Sequence, residues 1–541
     1  MSTPNHRDAS TVVDVLRAAA ADGADAEAYV EYEGTDLSCS EARNESRRSL
    51  TFGGLDAAAD AVAAVFADRG VAKGDVVALL LPSSIDYAVC YHAALRLGAV
   101  TSGVNPRLGI QERASIFSRL GAAVTVTDAS VPAEIEAAAG HIIVRSEVAA
   151  AVNDAVSEAA AGHGRRAPKF PVLGPSDPVA IVWTGGSTGA PKGALFDHDN
   201  LRAVAAGTDV LSARGDRRLS PLPFAHVGAM TRTWDEISKM IATVITPTPW
   251  NAGTTIWLME AERVTVGQGV PTQWALVLAH PDIESADLSR LRVAGTGASR
   301  VPPELVRAMR ERLGCPVVVR YTSTETSLGT GTRPDDPDDV VATTVGRPVP
   351  GVELELVDDA GSVVATGEVG TIRMRSAAGM RGYVGLGITV DTAATEVVID
   401  ADGWISTGDL GRIGDDGNLR MVGRSVEMLI RGGYNVYPAE VEAVLGSHPD
   451  VGQVAVVGAP DPVLGEVVVA FVVPAAHSKR DLAKPTLAEL RSHCRASLAD
   501  YKAPDRLELV TELPVTPLGK IDSRALSVLA AQRQLTEGAR A

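Results

Sequence analysis

An α/β architecture is what the sequence predicts: a large amino-terminal lobe of doubly wound sheets with a β-rich subdomain, followed by a small carboxy-terminal α+β domain. Three observations carry it. The chain has 541 residues, more than one hydrophobic core serves, so two to four domains are expected. Helical and extended patterns alternate through the amino-terminal region, the sign of parallel strands joined by crossover helices. Beyond Val340 short alternating runs broken by Gly and Asp replace that rhythm, and a third texture begins after Arg424.

The elements follow in chain order. Residues 55–67 place Leu55, Ala58, Val62, Val65 and Phe66 on one helical face, and Gly70 ends the helix. A strand at 76–81 is closed by Pro82; a helix at 88–97 and strands at 100–104 and 124–127 continue the alternation. Residues 128–175, rich in Ala, Glu and Gly, read as a helix and an exposed loop serving as a linker within the lobe. The stretch PVPGVELELVDDAGSVVATGEVGTIRMRS reads as antiparallel strands and hairpins. Past Arg424, a helix at 439–445, strands at 454–457 and 467–473 and a helix at 487–498 form a further βαβ-like set, enough for a small domain. The boundary is placed near Arg424, dividing 1–424 from 425–541. No period of solenoid length repeats.

Composition narrows the function. Fifty basic against 67 acidic residues leave a formal charge of −17, which argues against a nucleic-acid partner, since that needs a net basic face. A hydrophobic share of 45% with 22% charged residues is that of a folded soluble protein. Cys39, Cys90, Cys315 and Cys494 are scattered without a C-x-x-C pair, supporting neither a disulfide framework nor a cysteine zinc site. The amino terminus, MSTPNHRDAS, lacks the basic-then-apolar order of a signal peptide, and the longest apolar stretch, near 467–476, is half a membrane helix. A cytoplasmic protein without a membrane partner is expected, as a monomer or homodimer.

The most informative segment is Ile181-Val-Trp-Thr-Gly-Gly-Ser-Thr-Gly-Ala-Pro-Lys-Gly193. An apolar strand runs into six residues that are only Gly, Ser or Thr, then into a lysine and a helical pattern. Small residues let successive backbone N–H groups and hydroxyls converge on phosphate oxygens while Lys192 supplies positive charge. The spacing is neither that of a Walker A loop nor that of a dinucleotide fingerprint.

With this loop the chain resembles the adenylate-forming superfamily of acyl- and aryl-CoA synthetases, luciferases and peptide-synthetase adenylation domains. That family's loop reads [ST]-S-G-[ST]-T-G-x-P-K-G, and here Gly185 stands where serine is commoner. Four further segments match in the same order: Pro223-Phe-Ala-His-Val-Gly228, Arg320-Tyr-Thr-Ser-Thr-Glu-Thr326, Gly403-Trp-Ile-Ser-Thr-Gly-Asp-Leu410 with Gly423-Arg424, and Leu513-Pro-Val-Thr-Pro-Leu-Gly-Lys-Ile521. The match extends from about residue 50 to 521.

The resemblance implies ATP with Mg²⁺, coenzyme A as co-substrate and a carboxylic acid. Thr184, Ser187, Thr188, Gly189 and Lys192 would cradle the phosphates. Tyr321 would lie against adenine with Met421 beside it, Thr324 would contact the phosphate, and Glu325 would hold Mg²⁺. Asp409 would bridge the ribose hydroxyls, with Arg424 on the same ribose or the phosphate. Lys520, on a mobile carboxy-terminal domain, would stabilise charge on the α-phosphate and the attacking carboxylate. His226 would line and gate the acyl site. Thr322, in place of the family's glycine, would narrow that site. The hinge, usually Asp or Lys, falls on Val426, and Gly432 and Gly433 match the loop lining the thiol channel.

After His226 the chain continues Met230-Thr-Arg-Thr-Trp-Asp-Glu-Ile-Ser-Lys-Met240, with Met230, Trp234, Ile237 and Ile241 on one helical face. Arg232, Asp235, Glu236 and Lys239 occupy the other, the pattern of an exposed, charge-paired face. The sharper alternative is that Arg232 reaches a polar or second anionic group on the substrate. With Thr322 this favours a small aryl or polar acid over a long lipid chain. The leading expectation is an AMP-forming acid–CoA ligase; the alternative is an ATP-dependent, nitrite-activating diazotase acting on an aryl amine without CoA.

Overall fold

The computed structural model describes residues 9–32, 46–128, 130–161, 169–184, 191–208, 210–298, 301–424, 428–431, 434–461, 464–475, 484–516 and 520–538. Two large sheets organise the first 390 residues. In one, six parallel strands run in the order Glu27–Tyr32, Ala242–Ile245, Arg217–Ser220, Val266–Gly269, Val293–Gly297 and Val317–Tyr321, with antiparallel strands closing both edges. In the other, Pro178–Thr184, Val100–Gly103, Val76–Leu80, Ala122–Thr127 and His141–Val144 are parallel. Lys192–Asp197 and Gly382–Leu386 extend this sheet antiparallel.

Helices cover the sheets because their apolar residues recur at helical spacing. Helix Phe52–Asp68 starts where the Thr51 hydroxyl accepts the Gly54 N–H at 3.1 Å, and Leu55, Ala58, Val62 and Phe66 are fully buried. Helix Ile85–Arg96 is buried on every side, in a core drawing Tyr29 and Ile245 from one sheet and Val77 and Leu79 from the other. A helix so enclosed must satisfy its polar residues within the protein. Asp86 accepts from Arg48 and Arg145 at 2.7 and 2.6 Å, and Arg96 pairs with Asp56 and Asp60.

A third sheet, Glu353–Val357, Val369–Arg375, Ile405–Ile413 and Leu419–Arg424, is wholly antiparallel, as the Gly/Asp-punctuated pattern predicts. A fourth begins at Leu429–Arg431 and is built on the pair Val451–Asp461 and Gly465–Pro474, with helices Pro438–Leu445 and Leu487–Arg495.

Three local expectations are corrected. The 128–175 stretch is no mere linker, since His141–Val144 forms the edge strand of the second sheet and helix Arg145–Ala160 follows it. In the carboxy-terminal set the two long strands are antiparallel neighbours, and only Arg506–Leu509 pairs parallel, against Gly465–Pro474. The 230–241 segment is not one helix: Val227–Met230 and Thr233–Ser238 are separated by a break at Thr231 and Arg232.

Candidate active site

The Gly/Ser/Thr segment joins two antiparallel strands, and its ends are held together because Thr184 pairs with Lys192 in the ladder. Ser187, Thr188 and Gly189 lie outside the described residues. Across the next strand stands Tyr383, which the sequence reading missed. The Lys192 ammonium lies 5.0 Å from the centre of the Tyr383 ring, a cation–π contact. The Tyr383 hydroxyl donates to Glu325 Oε1 at 2.6 Å. The Met380 N–H also donates to the Glu325 carbonyl at 2.8 Å, so Glu325 is fixed through backbone and side chain together. Burial and the Glu325 charge push the Tyr383 hydroxyl well above its ordinary pKa, keeping it a donor.

Glu325 lies in the turn that follows the strand ending at Tyr321 and closes at Thr326. Within it the Ser323 N–H donates to Thr326 Oγ1 at 3.1 Å and the Thr326 N–H returns to Ser323 Oγ at 3.2 Å; Thr322 Oγ1 lies 3.3 Å from the same Thr326 oxygen. Thr324 occupies the middle of this knot. Among the described residues no group of three or more His, Cys, Asp and Glu side chains could hold a metal. A single oriented carboxylate is the donor set that suits Mg²⁺, which takes most of its ligands from phosphate and water.

The strand that ends in Tyr321 aims its hydroxyl at Asp409 Oδ2, 2.7 Å away. Arg424 Nε donates to Asp409 Oδ1 at 2.8 Å, because Asp409 and Arg424 face each other in the antiparallel register of 405–413 and 419–424. Gly408 carries a φ of +73° with no heavy atom within 4 Å of the place a Cβ would take, so the backbone turn, not crowding, requires glycine there. Both Asp409 oxygens are thus aimed by donors, yet a carboxylate retains lone pairs for two hydroxyls. Met421, on the facing strand, is partly exposed.

The backbone of Lys520 is held by the Thr516 N–H, which donates to the Lys520 carbonyl at 2.7 Å, next to the antiparallel bridge between Val515 and Ile521. Burial pushes its ammonium below the ordinary lysine pKa, Arg424 pushes the same way, and Asp409 opposes them. His226 caps helix Val227–Met230, its Nδ1 accepting the Gly228 N–H at 3.1 Å. Burial, and then the Lys520 charge, push His226 down to about 4. Lys520 therefore lies within electrostatic reach of Asp409, Arg424 and His226, and this cluster has more positive than negative charge. Such a site favours an anion at its centre.

The charged residues after His226 do not form an exposed face. Asp235 is completely buried; it accepts from Thr208 at 2.8 Å and Ser212 at 2.6 Å, and is flanked at 3.2 Å by Arg218, Arg232 and Lys239. Its carboxyl is held far below the usual carboxylate range by these cations, against burial. Arg232 also donates to Ser212 at 2.9 Å, while its Nε is buried without a hydrogen-bond partner. Burial pushes Arg232 down to about 10. The predicted exposed face failed because a second layer, Arg218 on the strand beneath, supplies buried countercharge that spacing along one helix cannot reveal. Val426, Gly432 and Gly433 lie outside the described residues.

An oriented carboxylate, an aspartate–arginine pair and a partly buried lysine from the carboxy-terminal segment thus accompany the strand ends that flank the Gly/Ser/Thr segment, an arrangement suited to an enzyme that activates acids with a nucleotide. The family profile of AMP-binding enzymes matches residues 16–384, and that of the AMP-binding enzyme C-terminal domain matches 440–520. The chain belongs to the AMP-binding enzyme family. It is an AMP-forming enzyme of the acid–CoA ligase class. It is 34% identical over 500 residues to an indoleacetate–CoA ligase of Aromatoleum aromaticum, covering 91% of this chain and 95% of that one. The fold superposes on the anthranilate CoA ligase AuaEII in complex with anthranoyl-AMP with a TM-score of 0.82 at 25% identity, covering 97% and 98%. It superposes on the amide bond synthetase McbA of Marinactinospora thermotolerans with a TM-score of 0.78 at 28% identity, covering 96% and 99%. Among the described residues no helix is long and apolar enough to cross a membrane.

Proposed function

We propose that this enzyme uses ATP to convert a small aryl or polar carboxylic acid into its acyl adenylate and then transfers the acyl group to coenzyme A. A carboxylate acylates poorly because its leaving group would be oxide. Attack of its oxygen on the α-phosphorus of ATP expels pyrophosphate and leaves AMP, a good leaving group, on the carbonyl. Attack of the CoA thiol then releases AMP.

The reading is supported by the electrostatic reach of Lys520 to Asp409, Arg424 and His226: a nucleotide whose ribose Asp409 holds would bring its α-phosphate toward this carboxy-terminal cation. In this reading Thr184 and Lys192, with Ser187, Thr188 and Gly189, receive the phosphates and Thr324 contacts one of them. Tyr321 and Met421 flank adenine, Asp409 and Arg424 hold the ribose, and Glu325 would hold Mg²⁺, which offsets phosphate charge. Lys520, Lys192 and the loop donors are pre-placed, so they stabilise the pentavalent phosphorus without reorganising. His226, neutral at physiological pH, shapes the acyl entrance without adding charge. Thr322 narrows the acyl site and Arg232 favours an acid with a polar group. Val426 would serve as the hinge and Gly432 and Gly433 as the thiol-channel backbone. The indoleacetate and anthranilate ligases among its relatives support a small aryl acid, and the McbA likeness makes the acceptor the step to test.

The test is AMP release from ATP over aryl, short, long and steroid-like acids, with and without CoA, with free thiol followed in parallel. Acid-dependent AMP release with matching thiol loss is expected. AMP release that instead requires nitrite and an aryl amine, with no thiol consumed, would replace the ligase with the diazotase, and release coupled to an amine alone would make the product an amide.

A further inference from the structure

Behind helix Val227–Met230 lies a cavity of about 30 Å³ that the adenylation chemistry does not use. Its walls are Phe224, Met230 and the aromatic rings of Tyr29 and Tyr91; its polar lining is Ser220, Thr233 and Glu236. The space admits one or two water molecules or one small polar group. It accepts a long alkyl tail only by displacing its walls.

Glu236 sets the chemistry of this space. Its Oε1 accepts from Arg218 Nη1 at 3.0 Å, and Arg218 is itself 1% exposed and shared with Asp235. The Glu236 side chain keeps 14% exposure and lines the cavity. Burial raises its pKa, and Arg218 opposes that rise. A buried carboxylate with one guanidinium partner gains from each further donor it receives. The Tyr91 hydroxyl is turned to the Met230 sulfur at 3.8 Å, a weak contact, so its single proton is directed there and not to Glu236.

The cavity and the reacting centre are joined by the short helix. His226 caps its amino end and feels Lys520, whereas Ala229 and Met230 at its other end face the cavity. At 1.5 Å per residue these ends are roughly 6 Å apart. An acid whose carboxylate lies near Lys520 therefore brings its distal end into this region if it is the length of a substituted aryl ring.

We infer that Glu236 is a specificity-determining residue that selects acids bearing a neutral hydrogen-bond donor, a hydroxyl, amine or ring N–H, at the end remote from the carboxylate. This assignment rests on the acid-activating reading above. A second carboxylate at that end meets the like charge of Glu236 and is disfavoured; an unsubstituted ring adds no donor to the one that Arg218 supplies. A site built around a buried polar group rejects the analogue lacking its partner more sharply than an apolar pocket rejects a missing methylene.

The experiment uses matched acids of one skeleton, 3-phenylpropanoic acid against its 4-hydroxy and 4-amino forms and its 4-carboxy form, with AMP release as readout. The native enzyme is expected to favour the hydroxy or amino acid at least about tenfold in kcat/KM, the worth of one hydrogen bond to a charged group. Glu236→Met is expected to erase that preference through KM for the donor-bearing acid, leaving kcat on the plain acid within about threefold, and Glu236→Gln, which keeps a carbonyl acceptor, to retain part of it. A flat preference in the native enzyme overturns the assignment without any variant, so a misfolded variant does not rescue it. A preference that survives Glu236→Met in folded protein overturns it equally. Absence of AMP release with every acid overturns the acid-activating reading and this one with it, whereas AMP release with flat selectivity overturns Glu236 alone.

Discussion

Replacing Tyr383 by phenylalanine isolates one atom of the site. The ring stays under Lys192 at 5.0 Å, so the cation–π contact survives, and only the 2.6 Å hydrogen bond to Glu325 is lost. A hydrogen bond to a charged group contributes about 1.5–3 kcal/mol, and each 1.36 kcal/mol off a transition state is tenfold, so the expected loss is roughly 10- to 150-fold in kcat/KM for adenylation. The Glu325 backbone remains pinned by the Met380 N–H, which limits the damage to side-chain orientation and keeps the fold. The assay is ATP–pyrophosphate exchange at a series of Mg²⁺ concentrations. The phenylalanine variant is expected to need more Mg²⁺ for half-maximal exchange, because Glu325 must be oriented at the time of binding. Tyr383→Leu, which also strips the ring from Lys192, is expected to lose more. Exchange within twofold of native at every Mg²⁺ concentration would refute the claim that Tyr383 orients Glu325.

Other expectations follow from the same geometry. Lys520→Ala should abolish pyrophosphate exchange while sparing thioester formation from a supplied acyl adenylate; equal loss in both half-reactions removes Lys520 from the adenylation step. His92, His198 and His226 are held by burial at about 3, about 4 and about 4, below the ordinary 6.5. Between pH 6.5 and 4 the unfolded chain therefore binds protons that the native chain does not, and stability falls as pH falls, by about 1.4 kcal/mol per pH unit per histidine. His198→Gln should flatten that slope by about one proton in urea titrations across this window, and an unchanged slope refutes the burial of a neutral imidazole there. Arg218→Met leaves Asp235 without one of its three cations and strips Glu236 of its guanidinium donor, and should cost about 3–5 kcal/mol by urea unfolding; a loss under about 1 kcal/mol would show that the remaining cations carry the cluster.

What could be read from the chain and what could not divides by the distance over which each contact is made. Helix Phe52–Asp68 was legible because its buried residues recur along one element, whereas Asp409 and Arg424 were tied to one ribose only through the family resemblance, and the hairpin register that sets them opposite each other comes from the structure. Strand His141–Val144 was lost because it has four residues with only Ile143 buried, too short for any period to emerge. The antiparallel pairing of 451–461 with 465–474 was in fact available: parallel neighbours need a crossover of a dozen or more residues, and the interval between these strands is far shorter. Tyr383 and Glu325 are 58 residues apart and meet only because strand 382–386 is added beside strand 192–197.

The buried charges make the same point with a functional edge. Helical spacing places Arg232, Asp235, Glu236 and Lys239 on one face, and water is the default neighbour for such a face. Arg218 overturns that default, because it projects from an interior strand 17 residues before Asp235 and lets both carboxylates enter the core. A buried ion network costs more desolvation than apolar residues of the same volume would, so stability does not explain its place beside the acyl-site helix. What it supplies is a fixed polarity: an anionic acceptor at Glu236 and a cation at Arg232, each held in position by partners that are themselves held. On the proposed reading this polarity meets the remote end of the acid, and selectivity among acids then resides in residues 208–239, not in the loop, aspartate and lysine assigned to the chemistry.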